Sequence, residues 1–193
     1  MPVEIDVQAD VKRMARDLVK IKAAIPTITF RAVNELATWA RKEVIDGTAD
    51  KLRLPKTIIQ NTTRKGQKKP RFALSKASRN IPVATLRVIS AGIQVTDVAG
   101  AWIGRKPGQK GGVKAKGGRF YRGAFKAPAK GGTIRVFKRR GPDRKPLFLP
   151  RIGTRKQMED AFRAKVEGGQ GAEVFRQRFD RLARYELAKA GIT

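Results

Sequence analysis

Lysine and arginine are the side chains best placed to do chemistry in this chain, and they are concentrated in its middle. Residues 51–155 contain 28 Lys and Arg against two carboxylates, Asp97 and Asp143. Residues 1–50 contain eight basic and eight acidic side chains, and residues 156–193 contain eight and six. Cations at this density contact the phosphates of a polyanion without reading its sequence. The segregation of charge therefore predicts a basic surface that faces nucleic acid.

The cations that we expect nearest to nucleic acid lie in the most glycine-rich stretch and after the strand that follows it. A solvated charged surface or an interface to acidic protein partners would also explain such a segment. We favour nucleic acid, because a 28-to-2 imbalance is large for either alternative. The twelve candidates are Arg105, Lys106, Lys110, Lys114, Lys116, Arg119, Arg122, Lys138, Arg139, Arg140, Arg144 and Lys145.

The groups that enzymes use are scarce, so the sequence predicts a protein that is not an enzyme and binds no cofactor or metal. There is no His and no Cys, which removes the commonest general base and the usual metal ligands. Asp97 and Asp143 could share a metal, but two-metal nucleases present more acidic ligands. The glycine-rich stretch 104–110 also lacks the Ser or Thr that ends a phosphate-binding P-loop.

Aromatic residues within the basic segment allow two interpretations. They could stack on bases, as in proteins that bind single strands, or they could anchor the edge of a sheet or pack on neighbouring subunits. We favour anchoring, because two of them follow strand positions and no aromatic ladder of the RNA-binding type is present. The residues are Trp102, Phe120, Tyr121, Phe125 and Phe137.

Two amphipathic helices are predicted before the basic segment. Apolar residues from Val7 to Ile25 recur every three or four positions, which is typical of one helical face. Pro26 should end this helix, because the residue before a proline avoids helical dihedral angles. A second helix would then run to Gly47. Their apolar faces, including Met14, are most simply core, although part of them could face a neighbouring subunit.

The middle of the chain carries strand patterns between basic loops. Residues 50–60 indicate a short helix or turn, and 61–80 a basic loop. Alternating apolar residues predict a hairpin from 81–90 and 93–98, turning at Gly92. Residues 100–123 have the glycine spacing of a flexible loop or a long hairpin arm that orders on assembly.

Further strands and two helices complete the predicted fold. Residues 125–138 should form two strands, followed by a turn at 141–144 and a short strand at 147–149. Thr154 with Gln157 matches a capping box that begins a helix, and a last helix follows the glycines of 168–171. This order predicts an α+β domain over 1–193: a helical pair (1–50), a small antiparallel sheet with a long basic Gly-rich loop (51–155) and C-terminal helices (156–193).

The segment around Tyr121-Arg-Gly-Ala-Phe125 resembles the bacteriophage minor tail protein Z family of tail-completion and head–tail joining proteins. The resemblance continues through the glycine-containing turn, Ile134–Arg140, the proline-rich link 142–150 and a helix with Ala161-Phe162. The paired N-terminal helices followed by Leu52-Arg-Leu-Pro-Lys are similar to the early part of that family.

The resemblance implies a structural virion protein at the head-proximal end of a long tail. Such a protein would form a homo-oligomeric ring, hexameric to match the tail tube, between the tail tube or terminator and the head connector. It would lie close to phage DNA without sequence specificity, after assembly in the host cytoplasm. We expect no membrane partner, since no apolar run approaches the ~20 residues that span a bilayer.

Two other functions remain open from the residues alone. Basic loops on a small sheet are equally typical of a sequence-nonspecific nucleic-acid-binding protein of the ribosome or nucleoid. An adaptor that binds acidic protein surfaces would carry the same charge pattern.

Overall fold

The fold is α+β, with helices at both ends of the chain and small antiparallel sheets between them, as the sequence predicted. The computed structural model describes residues 7–64, 67–89, 91–103, 111–129, 132–141 and 146–191.

The chain divides into two compact units, each assembled from segments that are distant in sequence. The first unit comprises Met1–Arg41, Leu74–Arg87 and Lys165–Thr193. The second unit comprises Lys42–Ala73 and Val88–Ala164, and therefore holds most of the basic segment.

A single helix replaces the predicted N-terminal pair. Helix α1 runs without a break over Val7–Leu52 and contains Pro26. Proline inside a helix removes one hydrogen bond and costs about 3 kcal/mol. The helix is nevertheless packed on both sides of Pro26: Ile28 after it is 3% exposed, and before it the Ala23 carbonyl accepts a hydrogen bond from Arg79 at 3.2 Å. The prediction that Pro26 ends the helix was wrong because packing outweighs this local cost.

Gly47 is likewise not the end of a helix. Helix α1 continues past it, and a Cβ at position 47 would lie 3.2 Å from the Cβ of Ala161 in helix α3, Arg155–Phe162. Glycine therefore allows α3 to approach closely the part of α1 that belongs to the second unit, from Lys42 onward. Arg53, at φ 52°, follows the end of α1, and the predicted short helix is confirmed as α2, Lys56–Gln60.

Twelve short strands form five separate sheets, ordered β1-β2, β3-β4, β5-β12, β6-β7-β8 and β9-β10-β11. The strands are β1 Asn61–Arg64, β2 Gln67–Pro70, β3 Phe72–Ser75, β4 Thr85–Val88, β5 Ile93–Gln94, β6 Ala99–Ile103, β7 Gly112–Ala115, β8 Phe120–Arg122, β9 Ala124–Pro128, β10 Ile134–Arg139, β11 Leu147–Phe148 and β12 Arg151–Ile152.

Two predictions for the region before residue 99 were wrong. Residues 61–80 contain β1, β2 and β3 instead of a basic loop, and Thr62 and Thr63 are the β-branched type that strands favour. The hairpin about Gly92 does not form, because β4 pairs with β3 and β5 with β12. A Cβ at Gly92 would lie 3.0 Å from the Cβ of Arg151, so this glycine marks a close approach of two chain segments.

The strand predictions after residue 99 hold where the structure describes them. β9 and β10 pair antiparallel, with Phe125 opposite Phe137, and β11 adds to β10. β6, β7 and β8 pair antiparallel, which confirms the hairpin alternative over the loop for this segment. The predicted turn at 141–144 lies largely outside the described residues.

The C-terminal helices begin with α3, pass through one π-helical turn, Arg163–Glu167, and end with α4, Gln170–Lys189. Gly169, at φ 93°, separates the last two. Thr154 occupies the position before α3, but its hydroxyl makes no capping hydrogen bond and is buried without a partner in the described structure. The predicted helix therefore begins after Thr154, but the hydrogen bond of the predicted capping box does not form.

The first unit is held together by α1, α4 and the segment between β3 and β4. The Glu35 carboxylate accepts hydrogen bonds from Arg181 at 2.6 and 2.7 Å. The Asn34 side chain donates to the Ala77 carbonyl at 3.0 Å and accepts from its N–H at 2.7 Å. Within the described ranges, no helix has the length and apolarity needed to cross a bilayer.

The second unit has an apolar core beneath its sheets. The core side chains come from the strands, from α2 and from the 3-10 helix Val95–Val98. They are at most 2% exposed, and they include Ile59, Phe72, Ile93, Val95, Val98, Val113, Val136 and Ile152.

Candidate nucleic-acid interface

The outer face of the β6-β7-β8 sheet is basic because successive side chains of its strands alternate between the core and the outer face. Along β7, Val113 and Ala115 are 0% and 3% exposed and point into the core, whereas Lys114 is exposed. Successive side chains of a strand point to opposite faces, so the side of the sheet that carries Lys114 is its outer side. The apolar core thus fixes which cations are displayed.

β8 completes this outer face with an aromatic ring between cations. Lys114 lies opposite Phe120, and Gly112 lies opposite Arg122. We call these four positions the Phe120 patch. Phe120 is 48% exposed, and a Cβ at Gly112 would lie 2.6 Å from Cζ of its ring. The ring therefore lies over the glycine, flanked by Lys114 and Arg122.

A tight turn extends the basic surface to the end of α1. The Ala115 N–H donates to the Arg119 carbonyl at 2.8 Å, and between them Gly117 and Gly118 have φ of 84° and 81°. A Cβ at Gly117 would lie 3.5 Å from the Cβ of Arg53. Exposed Arg53 therefore joins exposed Lys116 and Arg119. Sequence reasoning missed Arg53, because only the folded turn brings it there.

The β9-β10-β11 sheet holds its arginines against phenyl rings. The guanidinium carbon of Arg139 lies 5.6 Å from the centre of the Phe125 ring, and that of Arg140 lies 6.0 Å from the Phe148 ring. Cation–π contacts of this kind restrain a guanidinium while it stays charged. Lys138 is half-buried and projects from the opposite face of β10.

The two sheets that carry these cations are joined where β8 passes directly into β9. Gly123, at φ 73°, joins Arg122 to Ala124, and Ala124 lies directly opposite Lys138. The Gly123 N–H donates to the Gly111 carbonyl at 2.9 Å, which fixes the junction. Seven of the twelve predicted site residues are thus placed in one unit; Arg105, Lys106, Lys110, Arg144 and Lys145 lie outside the described residues.

In the described part of the chain, carboxylates pair with other cations of the second unit but not with these seven. Lys51 pairs with Asp160 at 3.6 Å. The pKa of Lys56 is raised chiefly by its hydrogen bond to Asp46, and that of Arg155 by its hydrogen bond to Glu159. Among the described residues, no carboxylate lies within ion-pair distance of Lys114, Lys116, Arg119, Arg122, Lys138, Arg139 or Arg140.

One arginine of the basic segment is not part of any surface. Arg71, predicted to lie in a basic loop, is 1% exposed. Its guanidinium donates to the carbonyls of Ile89 at 3.0 Å, Ala91, and Asn61 at 3.4 Å. Burial lowers the pKa of Arg71, while the charge of Asp97 raises it. This side chain links chain segments inside the second unit and is unavailable to a phosphate.

The aromatic residues divide between the two interpretations. Phe125 and Phe137 are half-buried and their ring centres lie 6.2 Å apart, so they anchor the sheet as predicted. Phe120 is exposed and does not anchor an edge. Whether each of these rings is half-buried or exposed depends on the pairing register of the strands, which cannot be read from the sequence.

Comparisons of this chain with protein-family models, with curated proteins and with solved structures find no match. The interface is therefore interpreted from its own geometry. It offers cations spread over strands and turns, with no recognition helix among the elements that carry them. Such an arrangement can bind phosphates and exposed bases.

Proposed function

We propose that this protein is a structural, DNA-contacting tail-completion protein of the minor tail protein Z type. In this role it closes the head-proximal end of a long phage tail and turns the basic surface of its second unit toward the DNA. The observation that carries the proposal is the set of seven described cations without carboxylate partners on one unit. The sequence resemblance around 121–140 supplies the tail setting.

The distribution of charge between the units supports separate roles for them. The second unit carries 28 Lys and Arg against seven Asp and Glu, and the first carries 16 against nine. Copies of a strongly cationic protein repel one another, so contact between copies is least costly through the first unit. The second unit is then free to face a polyanion.

Exposed apolar residues of α1 support assembly of several copies. Met14 and Leu18 are 67% and 65% exposed, and Ile25 is 46% exposed. Their spacing of four and seven places them on one helical stripe, which the sequence predicted to be core or a subunit contact. The structure leaves this stripe uncovered. We assign it to a second copy of the chain, since it belongs to the less charged unit.

A charge-matched pair of variants tests the DNA-facing surface. The first variant changes Lys114, Lys116, Arg119 and Arg122 to Gln. The control removes four exposed cations of the first unit: Lys22, Lys76, Arg87 and Arg176. Binding to a random-sequence duplex is followed by fluorescence anisotropy over a range of KCl concentrations. Each phosphate contact contributes about 0.9 to the slope of log affinity against log salt, so the first variant should lose about 3 to 4 units of slope.

The control variant shows whether DNA binding depends on this particular surface or on the total positive charge of the protein. An equal loss of slope in both variants would refute the assignment to the β7–β8 surface. Absence of any DNA binding at low salt would refute DNA contact itself.

A second arm separates tail completion from the alternative, a general sequence-nonspecific nucleic-acid-binding protein. Tail completion predicts ring-shaped density at one end of purified tail tubes in negative-stain electron microscopy. It also predicts weak binding of DNA by the monomer, with Kd in the nonspecific range of about 10⁻⁴ to 10⁻⁶ M at physiological salt. Tight binding by the monomer, with bare tube ends, would support the alternative.

A further inference from the structure

Phe120 is the feature that phosphate contact alone leaves unexplained. It is a large apolar side chain, 48% exposed, on the basic outer face of the β6-β7-β8 sheet. Its ring edge lies over Gly112, where a Cβ would come within 2.6 Å of Cζ and 3.0 Å of Cε2. A side chain at position 112 would collide with the Tyr121 carbonyl oxygen, 2.5 Å from the Cβ position, and with the ring, so glycine leaves the room in which the ring lies while about half of Phe120 remains exposed.

The neighbours of the ring are cationic on both strands. Lys114 is its direct cross-strand partner, and Arg122 lies two residues along β8 on the same face, about 6.7 Å away along the strand. No carboxylate pairs with either cation in the described structure. An aromatic face between two free cations matches a nucleobase joined to the phosphates on either side of it.

We propose that Phe120 is a stacking platform for an unpaired nucleobase, and that Lys114 and Arg122 hold the flanking phosphates. The ligand is a single-stranded DNA segment, such as an overhanging or frayed end of the genome. The inference rests on the proposed DNA-facing role and adds to it a preference for unpaired strands. Bases inside a duplex are already stacked on both sides, so they offer no free face to the ring.

Charge argues against a second copy of the chain as the occupant of this patch. Another copy would bring its own surplus of cations against Lys114 and Arg122, and like charges held together are destabilising. A nucleic-acid strand supplies anions at that place. A change in oligomeric state is nevertheless one outcome of the test.

The test compares wild type with Phe120→Leu, which keeps an apolar side chain but removes the aromatic face. The probes are a labelled oligothymidylate of about 15 nucleotides, within the usual site sizes for single strands, and a duplex of the same length. Phe120→Leu should weaken single-strand binding about 5- to 150-fold and leave duplex binding within about twofold. The salt slope should not change, because no charge is removed.

Two further variants test whether the effect requires an aromatic side chain and whether it is specific to position 120. Tyr185→Leu removes a 61% exposed aromatic residue of α4 and should change neither affinity. Phe120→Trp should restore single-strand binding, because indole also stacks on bases. Circular dichroism and light scattering on each variant report folding and oligomeric state.

The outcomes separate this inference from the function on which it rests. Equal losses for both probes, or no loss for either while salt-dependent DNA binding persists, would overturn the stacking role and leave the DNA-facing surface standing. A change of oligomeric state without a change in single-strand affinity would make Phe120 a subunit contact. Failure of wild type to bind either probe at low salt would remove the proposed function itself.

Discussion

Replacing Arg71 by methionine should destabilise the protein without touching its DNA surface. Methionine retains an apolar side chain in a site that is 1% exposed, but it removes the donors to Ile89, Ala91 and Asn61. A carbonyl that loses its donor costs about 1–3 kcal/mol when buried. The three hydrogen bonds are only part-buried, and methionine carries no guanidinium that must be desolvated, so both effects reduce the loss. The free energy of unfolding should therefore fall by about 1–3 kcal/mol.

This loss is measurable and has a matched control. In a chain of this size it should lower Tm by about 2–12 °C, and urea titration gives the free energy directly. Arg119→Met removes an exposed arginine of the same unit and should change stability by less than about 0.5 kcal/mol. Its slope of log DNA affinity against log salt should instead fall by about 0.9, whereas Arg71→Met should leave that slope unchanged.

The structural role of Arg71 would be refuted if each variant showed the effect on stability and on salt slope that is expected of the other. Unchanged stability with a reduced salt slope for Arg71→Met would place its guanidinium on the binding surface. The pH dependence is a second check. Burial lowers the pKa of Arg71, yet a guanidinium stays protonated in both the folded and the unfolded chain well above neutral pH. The loss should therefore be constant from about pH 5 to 9, and a loss that varied there would contradict this account.

Two further predictions concern the turn after β7 and the exposed stripe of α1. Both Gly117→Ala and Gly118→Ala pay about 1–2 kcal/mol for a positive φ. Gly117→Ala should cost about 1–3 kcal/mol more in urea unfolding, because its Cβ would lie 2.8 Å from the Leu52 carbonyl oxygen, whereas nothing lies within 4 Å at Gly118. Leu18→Gln should lower the assembly mass measured by light scattering and leave monomer stability within about 0.5 kcal/mol. An unchanged mass would exclude this stripe as the contact between copies.

The sequence predicted the elements whose pattern is local. The β9–β10 pair could be recognised from the alternation around Ile134 and Val136 with a glycine turn before it. Pro26 and Gly47 led to wrong predictions, because a proline or a glycine considered without its packing is typical of the end of a helix. Whether the helix continues through these positions depends on contacts with segments distant in sequence: Arg79 contacts the helix close to Pro26, and Ala161 packs at Gly47.

The candidate site was predictable in its charge and not in its arrangement. Counting cations identified the basic surface, since few carboxylates exist to neutralise it. The same count included Arg71, which the fold buries, and omitted the exposed ring of Phe120. Which residues face solvent depends on which strands pair and in what register, and composition carries no information about that.

The strand registers also separate the cations from one another. In the registers of β1–β2, β5–β12, β6–β7, β7–β8, β9–β10 and β10–β11, each cation lies opposite an uncharged residue. A one-residue slip of β10 against β9 would place Arg135 opposite Lys126, and a two-residue slip of β8 against β7 would place Lys114 opposite Arg122. Like charges directly opposed destabilise a sheet. Lys114 and Arg122, which we assign to DNA, thus also penalise a misaligned sheet, so that neutralising them should make folding less selective as well as binding weaker.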